Sequence, residues 1–306
     1  MRVDFLIGCT GCGKGRVGRM VAERIGAEII SADSMKVYRR MDIGTAKPTV
    51  EDRARLPHHL IDVVEPSESF SAARYVEAAD AAIRDIHARG RRVLVVGGTC
   101  LHIKALAEGI FDGPGADPAF RAEVRRRALQ EGTAVLHREL AEIDPRAAER
   151  IHPNDLRRIE RALEVHHRTG RPISELQQQW EKPRRRYDCR FFGLRRDKLD
   201  QSKRINRRVH RMVDRGLVEE VRSLLAEPAG LSDVAAQAVG YAEIIAHLQG
   251  RSLLEDAIED IKINTRHLAK SQRTWFRRWA GVTWLDVPPD EPAEDTADRL
   301  RPLLAE

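Results

Sequence analysis

The most constraining feature of this sequence is a glycine-rich segment, GCTGCGKG at Gly8–Gly15, which directly follows the apolar run Val3–Ile7. Helix-compatible residues come next, and then a second apolar run, Glu28–Ile30, which leads into SADS at Ser31–Ser34. Strand, loop, helix and strand in this order are typical of a phosphate-binding P-loop. In such a loop, backbone N–H groups, a lysine charge and the helix dipole converge on phosphate oxygens. The segment therefore predicts a phosphate or diphosphate site.

The loop departs from the usual pattern at its last position. Gly15 stands where a Ser or Thr normally supplies a hydroxyl group to Mg²⁺. Because Mg²⁺ keeps several waters and needs few protein ligands, we expect Mg²⁺ as a cofactor that is held weakly by Asp33 and phosphate oxygens, with water replacing the hydroxyl. The residues predicted to bind diphosphate here are Gly8, Cys9, Thr10, Gly11, Cys12, Gly13, Lys14 and Gly15.

Strand candidates alternate with helical segments along the rest of the chain. The apolar run Arg92–Cys100 is typical of a buried parallel strand and contains Gly97-Gly98-Thr99. Further strand candidates are Leu60–Val64, Arg190–Arg196 and Val282–Val287. This alternation predicts an α/β fold with a P-loop core and a mostly parallel, doubly wound sheet. Binding sites in such sheets lie beyond the carboxyl ends of the strands, so Asp33 and Thr99 should share an edge with the loop.

One long stretch contains no strand candidate. After the break DGPGADP at Asp112–Pro118, the pattern is helical to about Gln179. We therefore predict a first part of the core at 1–112, a small all-helical insertion at 113–182, and a second part of the core at 183–306. The second part includes a long basic helix at 253–279.

Composition limits the cellular setting. The apolar runs are much shorter than the roughly 20 residues of a membrane span, and four cysteines fit reduced thiols better than a disulfide framework. We therefore expect a cytoplasmic protein without a membrane partner, and nothing in the sequence suggests an obligate interface, so we expect a monomer. With 53 basic and 47 acidic residues, the net charge is +6.

The positive charge is clustered. The segment 262–278 contains six Lys or Arg residues and no acidic residue, and five of its cations recur every three or four residues. This spacing places them on one face of a helix. A solvated charged face is the ordinary interpretation of such a run, but it would contain interspersed Glu and Asp. The absence of acidic residues favours a helix that faces a polyanion.

Three cysteines and a histidine follow strand ends at the predicted edge: Cys9, Cys12, Cys100 and His102. Structural zinc sites use such ligand sets. A loop folded around phosphate has no room for a metal at its rim, however, so we interpret these residues as small fillers. Redox control through Cys9 and Cys12 is a further alternative.

Seven segments, taken in order, resemble one family, the tRNA dimethylallyltransferases. They are SADSMKVYRRMDIGTAKP, PHHLIDVVEP, VVGGTCLHIKAL, HPNDLRRIERALEV, RINRRVHRMVDRGLVEEV, QAVGYAE and TRHLAKSQRTWFRRW. The resemblance implies transfer of a dimethylallyl group from dimethylallyl diphosphate to N6 of the adenosine immediately 3′ of the anticodon in tRNA, with release of diphosphate. The implied partners are the tRNA anticodon stem-loop and dimethylallyl diphosphate.

The resemblance also implies catalytic roles. Asp33 is expected to orient the exocyclic amine and take its proton, and Thr99 to form a hydrogen bond near the reacting centre. Arg208, in the RINRRVH segment, is expected to be the second cation on diphosphate beside Lys14.

The implied tRNA contacts are Asp33, Ser34, Met35, Lys36, Thr99, Arg121, Arg157, Arg158, Ile159, Glu160, Arg161, Gln237, Ala238, Val239, Gly240, Tyr241, Ala242, Arg266, Lys270, Arg273 and Arg277. For Arg157, Arg158 and Arg161 the alternative is a solvated helix face paired with nearby carboxylates. Lys36 stands where the family commonly has Gln or a small apolar residue, and it is either a phosphate contact or an exposed side chain.

Two other functions compete with prenyl transfer. A P-loop kinase or nucleotidase for a small molecule would share the loop, but the strand Val93–Val96 ends without the Asp that binds nucleotide-bound Mg²⁺ in that class. A non-catalytic RNA-binding protein would explain Gly15, whereas the intact Lys14, Asp33 and Thr99 count against it.

Overall fold

A six-stranded parallel sheet lies at the centre of the computed structural model, which describes residues 1–111, 113–177 and 185–305. The strands are β1 (Arg2–Gly8), β2 (Ala27–Ala32), β3 (His58–His59), β4 (Arg92–Gly97), β5 (Asp188–Arg195) and β6 (Val282–Asp286). Their order across the sheet is β3-β2-β4-β1-β5-β6, and every neighbouring pair is parallel. The predicted α/β class with a mostly parallel sheet is confirmed.

Helices connect the strands. In chain order they are α1 (Lys14–Ile25), α2 (Val50–Arg55), α3 (Ala72–Ala88), α4 (Cys100–Glu108), α5 (Pro118–Glu131), α6 (Thr133–Ile143), α7 (Pro145–Arg150), α8 (Leu156–Thr169), α9 (Ile173–Leu176), α10 (Lys198–Asp214), α11 (Leu217–Leu225), α12 (Asp233–Ala236), α13 (Tyr241–Leu248), α14 (Leu254–Arg277) and α15 (Ala293–Ala305).

Alternating residues of the buried strands serve the two faces of the sheet. Leu6 of β1 packs with Val21 of α1 and Leu300 of α15 in one apolar cluster. The neighbouring residue, Phe5, stacks on Phe191 of β5 with ring centroids 4.6 Å apart. Because both faces are covered, β1 is apolar almost without interruption, as expected for a strand inside a doubly wound sheet.

The predicted strand at Leu60–Val64 is wrong. The strand β3 lies at His58–His59, and the chain then turns because Leu60 and Asp62 adopt positive φ angles of 62° and 55°. Extended backbone requires negative φ, so the apolar pattern of this segment reflects burial of Leu60 and Val64 without strand pairing beyond one isolated bridge at Val64.

The acid- and proline-rich end of the chain is helical. Its residues form α15, whose buried Ala297, Leu300 and Leu304 face α1 and the sheet. The segment Gln237–Glu243 leads into α13, which begins at Tyr241 after a Gly240 with φ of 98°.

The chain divides into two compact units. One comprises Met1–Ala107 with Arg185–Glu306, and the other comprises Glu108–Arg184. The second unit contains α5 to α9 around a core that includes Leu140, Ile159 and Val165. The predicted insertion, 113–182, falls within it, and its boundary positions 112 and 182 lie outside the described residues.

Within residues 1–111, 113–177 and 185–305, no helix combines the length and the apolar character that crossing a membrane requires.

Candidate active site

The phosphate loop has the backbone of an anion cradle. The helix α1 begins at Lys14, and Gly13 caps it with φ of 97°, while Gly11 has φ of 84°. These left-handed conformations favour glycine and allow successive N–H groups to point inward. The Nζ atom of Lys14 lies 3.4 Å from the Cys9 carbonyl oxygen, so the lysine folds back over the loop.

Three side chains hold Thr10, in the middle of the loop. Its N–H donates to Oε1 of Gln272 at 2.7 Å, and its carbonyl accepts from Nε2 of Gln201, also at 2.7 Å. Its hydroxyl accepts from Nη2 of Arg208 at 3.0 Å. We call Gln201, Arg208 and Gln272 the Thr10 clamp. The clamp joins α10 and α14 to the loop, and Gln272 also donates to the carbonyl of Gly98, the residue that follows β4, at 2.8 Å.

Two further arginines bind loop carbonyls. Nε of Arg196 donates to the Cys12 carbonyl at 3.0 Å, and Nε of Arg204 donates to the Gly11 carbonyl at 3.2 Å. By satisfying these carbonyls, they hold the loop backbone in place. The N–H groups of Thr10 and Cys12 donate within the protein, to Gln272 and to the Cys9 carbonyl, so the remaining N–H groups of the loop form its anion-binding face. Together with the two glutamines of the clamp, these two arginines were absent from the sequence-based predictions. Their sequence signal is weak, because contacts across more than 180 residues leave no local spacing.

The strand ends next to the loop bring Asp33 and Thr99 together. The strands β2 and β4 are neighbours, and the N–H of Thr99 donates to the Ala32 carbonyl at 3.1 Å. The Ser34 N–H donates to Oγ1 of Thr99 at 3.0 Å, and the Met35 N–H donates to Oδ1 of Asp33 at 3.0 Å. Thr99 therefore fixes the segment that carries Asp33, while the second carboxylate oxygen of Asp33 has no protein donor in the described ranges.

The charge of the Asp33 carboxylate acts on two cations, Lys36 and Arg208. Burial lowers the pKa of Lys36 to about 8, although the charge of Asp33 opposes the shift. Burial also lowers the pKa of Arg208, again opposed by Asp33.

His102 is a neutral group in this region. It is 4% exposed, its ring stacks on Tyr75, and burial lowers the pKa of the imidazole to about 4, so the ring is neutral at physiological pH.

The donor set fits Mg²⁺ in a restricted way. A Cβ atom built at Gly15 meets nothing within 4 Å, so the position that normally carries the metal-binding hydroxyl is open space. Among the described residues, no group of three or more His, Cys, Asp or Glu side chains could hold a metal. These residues fit an ion that is held by Asp33, substrate oxygens and water, as Mg²⁺ accepts.

The cysteines gain no metal-binding role from this geometry. All four are free thiols, and burial raises the pKa of Cys100 to about 12 and also raises that of Cys9. Protonated thiols are poor nucleophiles and poor metal ligands. Cys9 and Cys12 instead border a cavity of about 200 Å³, whose lining is Cys9, Cys12, Leu194, Arg195, Arg196, Gln201, Arg273, Phe276, Arg277 and Trp284.

Most of the predicted tRNA contacts in the helical unit are occupied by protein. Arg121 donates twice to Glu164, each time at 2.7 Å, and Arg161 donates to the same carboxylate at 2.6 Å. Glu164 is fully buried, and although burial raises its pKa, these arginines and the Asp117 N–H together lower it to about 2. Arg158 lies 3.3 Å from Asp155.

Two other predictions in this unit need correction. The Ile159 side chain is 0% exposed and packs in the unit's core, and Glu160 is 5% exposed and accepts from Arg125 at 2.7 Å. Their side chains do not face an RNA. Arg158 and Arg161 are paired with carboxylates, as the alternative interpretation of a charged helix face expects, while Arg157 is exposed.

The segment 237–242 also divides into buried and exposed parts. Tyr241 is 0% exposed, and its hydroxyl donates to Glu220 at 2.6 Å. The same carboxylate accepts N–H groups from residues 42–44, so Tyr241 supports a loop. Ala238 and Gly240 are also buried. Among the residues predicted here as tRNA contacts, only the exposed Gln237 and the half-buried Val239 and Ala242 have side chains that reach the surface.

The basic face of α14 is narrower than the spacing predicted. Arg266 donates to Oδ1 of Asn206 at 2.8 Å, and Arg273 donates to Oε1 of Gln201, so both face α10. Lys270 and Arg277 remain exposed. Trp275 is 37% exposed and lies 5.9 Å from the Lys104 ammonium, measured to the ring centroid. This helix thus contributes both to the clamp and to the surface.

A comparison with protein families decides the classification. The sequence model of the IPP transferases matches residues 36–279. This chain belongs to the IPP transferase family. It is 47% identical to a tRNA dimethylallyltransferase of Geobacter metallireducens over 287 residues, which cover 94% of this chain and 93% of that protein. A tRNA dimethylallyltransferase of Geobacillus thermodenitrificans is 43% identical, with 95% and 92% coverage.

Solved structures of IPP transferases have the same fold. The tRNA isopentenylpyrophosphate transferase of Bacillus halodurans aligns with a TM-score of 0.73 and 39% identity, covering 99% of this chain and 95% of that one. A eukaryotic dimethylallyltransferase, described as acting on tRNA, aligns with a TM-score of 0.81 and 28% identity, covering 99% of this chain and 77% of that one. These likenesses extend the classification over nearly the whole chain, including the loop that precedes residue 36.

Proposed function

We propose that this IPP transferase moves a dimethylallyl group from dimethylallyl diphosphate to N6 of the adenosine immediately 3′ of the anticodon in tRNA, and releases diphosphate. The family and its named relatives support a tRNA prenyltransferase. The observation that carries the proposal is the placement of a carboxylate, Asp33, beside a phosphate loop whose Thr10 is held by the cation Arg208. A leaving-group cradle next to a base is what prenyl transfer to an amine requires.

The diphosphate binds to the N–H groups of the loop and to the side chains of Lys14 and Arg208. As the allylic C–O bond breaks, negative charge grows on the diphosphate oxygens. Fixed cations stabilise that charge more in the transition state than in the ground state, and this difference accelerates the reaction. The Thr10 clamp contributes by holding the loop in the geometry that the leaving group needs, so that little reorganisation accompanies the chemical step.

Asp33 acts on the acceptor. One of its oxygens is fixed by the Met35 N–H, and the other is available to accept a hydrogen bond from the N6 amine and then its proton. Proton transfer to a positioned carboxylate typically contributes about 10²–10⁴-fold. Thr99 acts through this segment, since its hydroxyl holds the Ser34 N–H and therefore the backbone next to Asp33.

When Mg²⁺ is bound, it supplies further positive charge to the diphosphate, with Asp33 as the protein ligand. Recognition of tRNA uses the exposed basic residues of α14, where Lys270 offers a charge and Trp275 offers a ring for base stacking. RNA sequence is read best on splayed single-stranded bases, and an adenosine within a loop must leave its stack to reach Asp33. We also propose that the enzyme is a monomer and that it acts in the cytoplasm.

One assay tests the reaction. The protein is incubated with radiolabelled dimethylallyl diphosphate and unmodified tRNA, and the label in the RNA is measured. We expect transfer to the adenosine 3′ of the anticodon. ATP hydrolysis or small-molecule phosphorylation without transfer would instead support a P-loop kinase, and tRNA binding with neither activity would support a non-catalytic RNA-binding protein.

A variant pair tests the role of the carboxylate. Asp33→Asn should lower kcat by about 10²–10⁴-fold and leave tRNA affinity almost unchanged. The matched control is Asp256→Asn, because Asp256 is an exposed carboxylate at the start of α14. If Asp33→Asn raises KM and leaves kcat at the wild-type value, Asp33 is not the base.

A further inference from the structure

Lys36 is a cation at the carboxyl edge that neither a P-loop pattern nor the mechanism above requires. It lies on the loop after β2, three residues beyond Asp33. Its ammonium group makes no hydrogen bond or ion pair with any described residue. A solvated surface lysine would be unremarkable, but Lys36 is partly buried, so its charge is not left fully to water.

The backbone around Lys36 is fixed. The Asp62 N–H donates to the Lys36 carbonyl at 3.2 Å, and the Val63 N–H donates to the Val37 carbonyl at 2.7 Å. Val37 and Tyr38, which follow directly, are 0% exposed and belong to the core. The lysine stem therefore starts from a rigid point, and its position relative to Asp33 is set by the fold.

The charges around Lys36 do not balance. The charges that act on the Lys36 ammonium include those of Asp33, Lys14, Arg19 and Arg208, and the charge of Lys36 acts in turn on His58. Arg19 has its own partner, since its guanidinium lies 3.1 Å from Asp52. That leaves three cations, Lys14, Lys36 and Arg208, around one carboxylate. One carboxylate does not neutralise three cations, and cations held close together disfavour one another's charged form. A bound diphosphate would supply the missing negative charge.

The loop position that normally contributes a ligand to Mg²⁺ lacks that ligand here. Gly15 offers no hydroxyl, and the space around its α-carbon is open. A site with one protein ligand for Mg²⁺ and one additional lysine can neutralise diphosphate with protein charge where a P-loop normally uses the metal. The missing hydroxyl at Gly15 and the additional cation at Lys36 are two independent departures.

We propose that Lys36 binds the diphosphate directly and takes over the charge role of Mg²⁺, so that this enzyme binds and releases diphosphate with little dependence on the metal. The inference rests on the proposed function, because it names a further residue for the same leaving group. It predicts that the loss of the Gly15 hydroxyl and the presence of Lys36 compensate each other.

Binding of inorganic diphosphate, measured by isothermal titration calorimetry in Mg²⁺ and in EDTA, tests this without turnover. We expect the wild-type protein to bind in both conditions with similar affinity. Lys36→Gln should weaken binding in EDTA by about 10- to 100-fold, the range for a lost hydrogen bond between charged groups, and Mg²⁺ should restore part of it. Lys36→Arg keeps the charge and should keep metal-independent binding.

Two controls sharpen the result. Lys198→Gln removes an exposed lysine at the start of α10 and should leave both affinities unchanged. Gly15→Ser in the Lys36→Gln background supplies the missing hydroxyl in open space, and should increase the gain in affinity that Mg²⁺ gives.

The outcomes distinguish the role of Lys36 from the existence of the diphosphate site. If the wild-type protein binds diphosphate in Mg²⁺ and not in EDTA, the role of Lys36 is refuted and the diphosphate site stands. If it binds in neither condition, the site itself is refuted. The wild-type comparison also decides the question if Lys36→Gln fails to fold.

Discussion

Replacing Gln272 by leucine removes two buried hydrogen bonds at once and keeps a side chain of similar volume. The amide is 9% exposed, accepts from the Thr10 N–H at 2.7 Å and donates to the Gly98 carbonyl at 2.8 Å. Gln272→Leu leaves the Thr10 N–H donor and the Gly98 carbonyl acceptor without these partners. A buried polar group left unsatisfied costs about 1–3 kcal/mol, so the two together give about 2–6 kcal/mol.

The two lost hydrogen bonds hold the phosphate loop, so the substitution should affect substrate binding as well as stability. Because Thr10 is also held by Gln201 and Arg208, the loop loosens without unfolding. We expect the KM for dimethylallyl diphosphate to rise by at least about tenfold, which corresponds to about 1.4 kcal/mol. The melting temperature should fall by at least about 4 °C, at about 2–4 °C per kcal/mol for a domain of this size.

Steady-state kinetics and differential scanning fluorimetry measure both effects. Gln272→Glu is the informative intermediate, because its carboxylate still accepts from Thr10 while repelling the Gly98 carbonyl. Gln249→Leu is the control, since Gln249 is exposed at the end of α13. An unchanged melting temperature together with an unchanged KM would refute the idea that Gln272 holds the loop.

Three further predictions concern stability and RNA binding. For His102, the folded pKa of about 4 lies below the ordinary value of 6.5, so the unfolded state binds the proton first as the pH falls. The free energy of unfolding should therefore decrease by about 3 kcal/mol as the pH drops through that interval. In chemical unfolding between pH 6.5 and 4, His102→Phe should lose less of its free energy of unfolding than the wild-type protein, and an equal loss argues against the assignment. Glu164→Gln removes the carboxylate that pairs with the half-buried Arg121 and Arg161 and should destabilise the protein by about 1–3 kcal/mol, and a melt like that of wild type contradicts this. Lys270→Ala should weaken tRNA binding and reduce the slope of log K against log salt by about 1, whereas Arg273→Ala should act on diphosphate through Gln201; equal salt slopes for the two variants would contradict the division of α14.

The parts of the fold and site that sequence could predict are those encoded locally. The phosphate loop, its flanking strand and helix, and the Asp33 and Thr99 strand ends are all short segments with their own pattern. The strand order then brings β2, β4 and β1 together, which makes their shared edge predictable from topology.

What sequence could not show depends on distant partners or on backbone angles. Gln201 and Gln272 look like ordinary polar helix residues, and only the packed structure brings their amides to Thr10. The positive φ angles of Leu60 and Asp62 end β3 in a segment whose composition suggests a strand. Burial of Tyr241 behind Glu220 likewise required the fold.

The basic helix shows how a correct pattern can lead to an incomplete conclusion. The spacing of its cations does place them on a helix, as predicted. The partner of Arg273, however, is an uncharged glutamine on another helix. A search for interspersed acidic residues along the chain cannot detect that contact, so the charge face that remains for RNA is smaller than the spacing implies.

The most direct test of the central claim is the ratio of products in one reaction. Dimethylallyl diphosphate and unmodified tRNA are supplied to the wild-type protein, and released diphosphate and prenylated adenosine are both quantified over time. We expect one diphosphate for each prenyl group on N6 of the adenosine 3′ of the anticodon, and none of either without tRNA. Diphosphate release that does not depend on tRNA, or a label elsewhere in the RNA, would contradict the assignment of the loop as a leaving-group cradle beside Asp33.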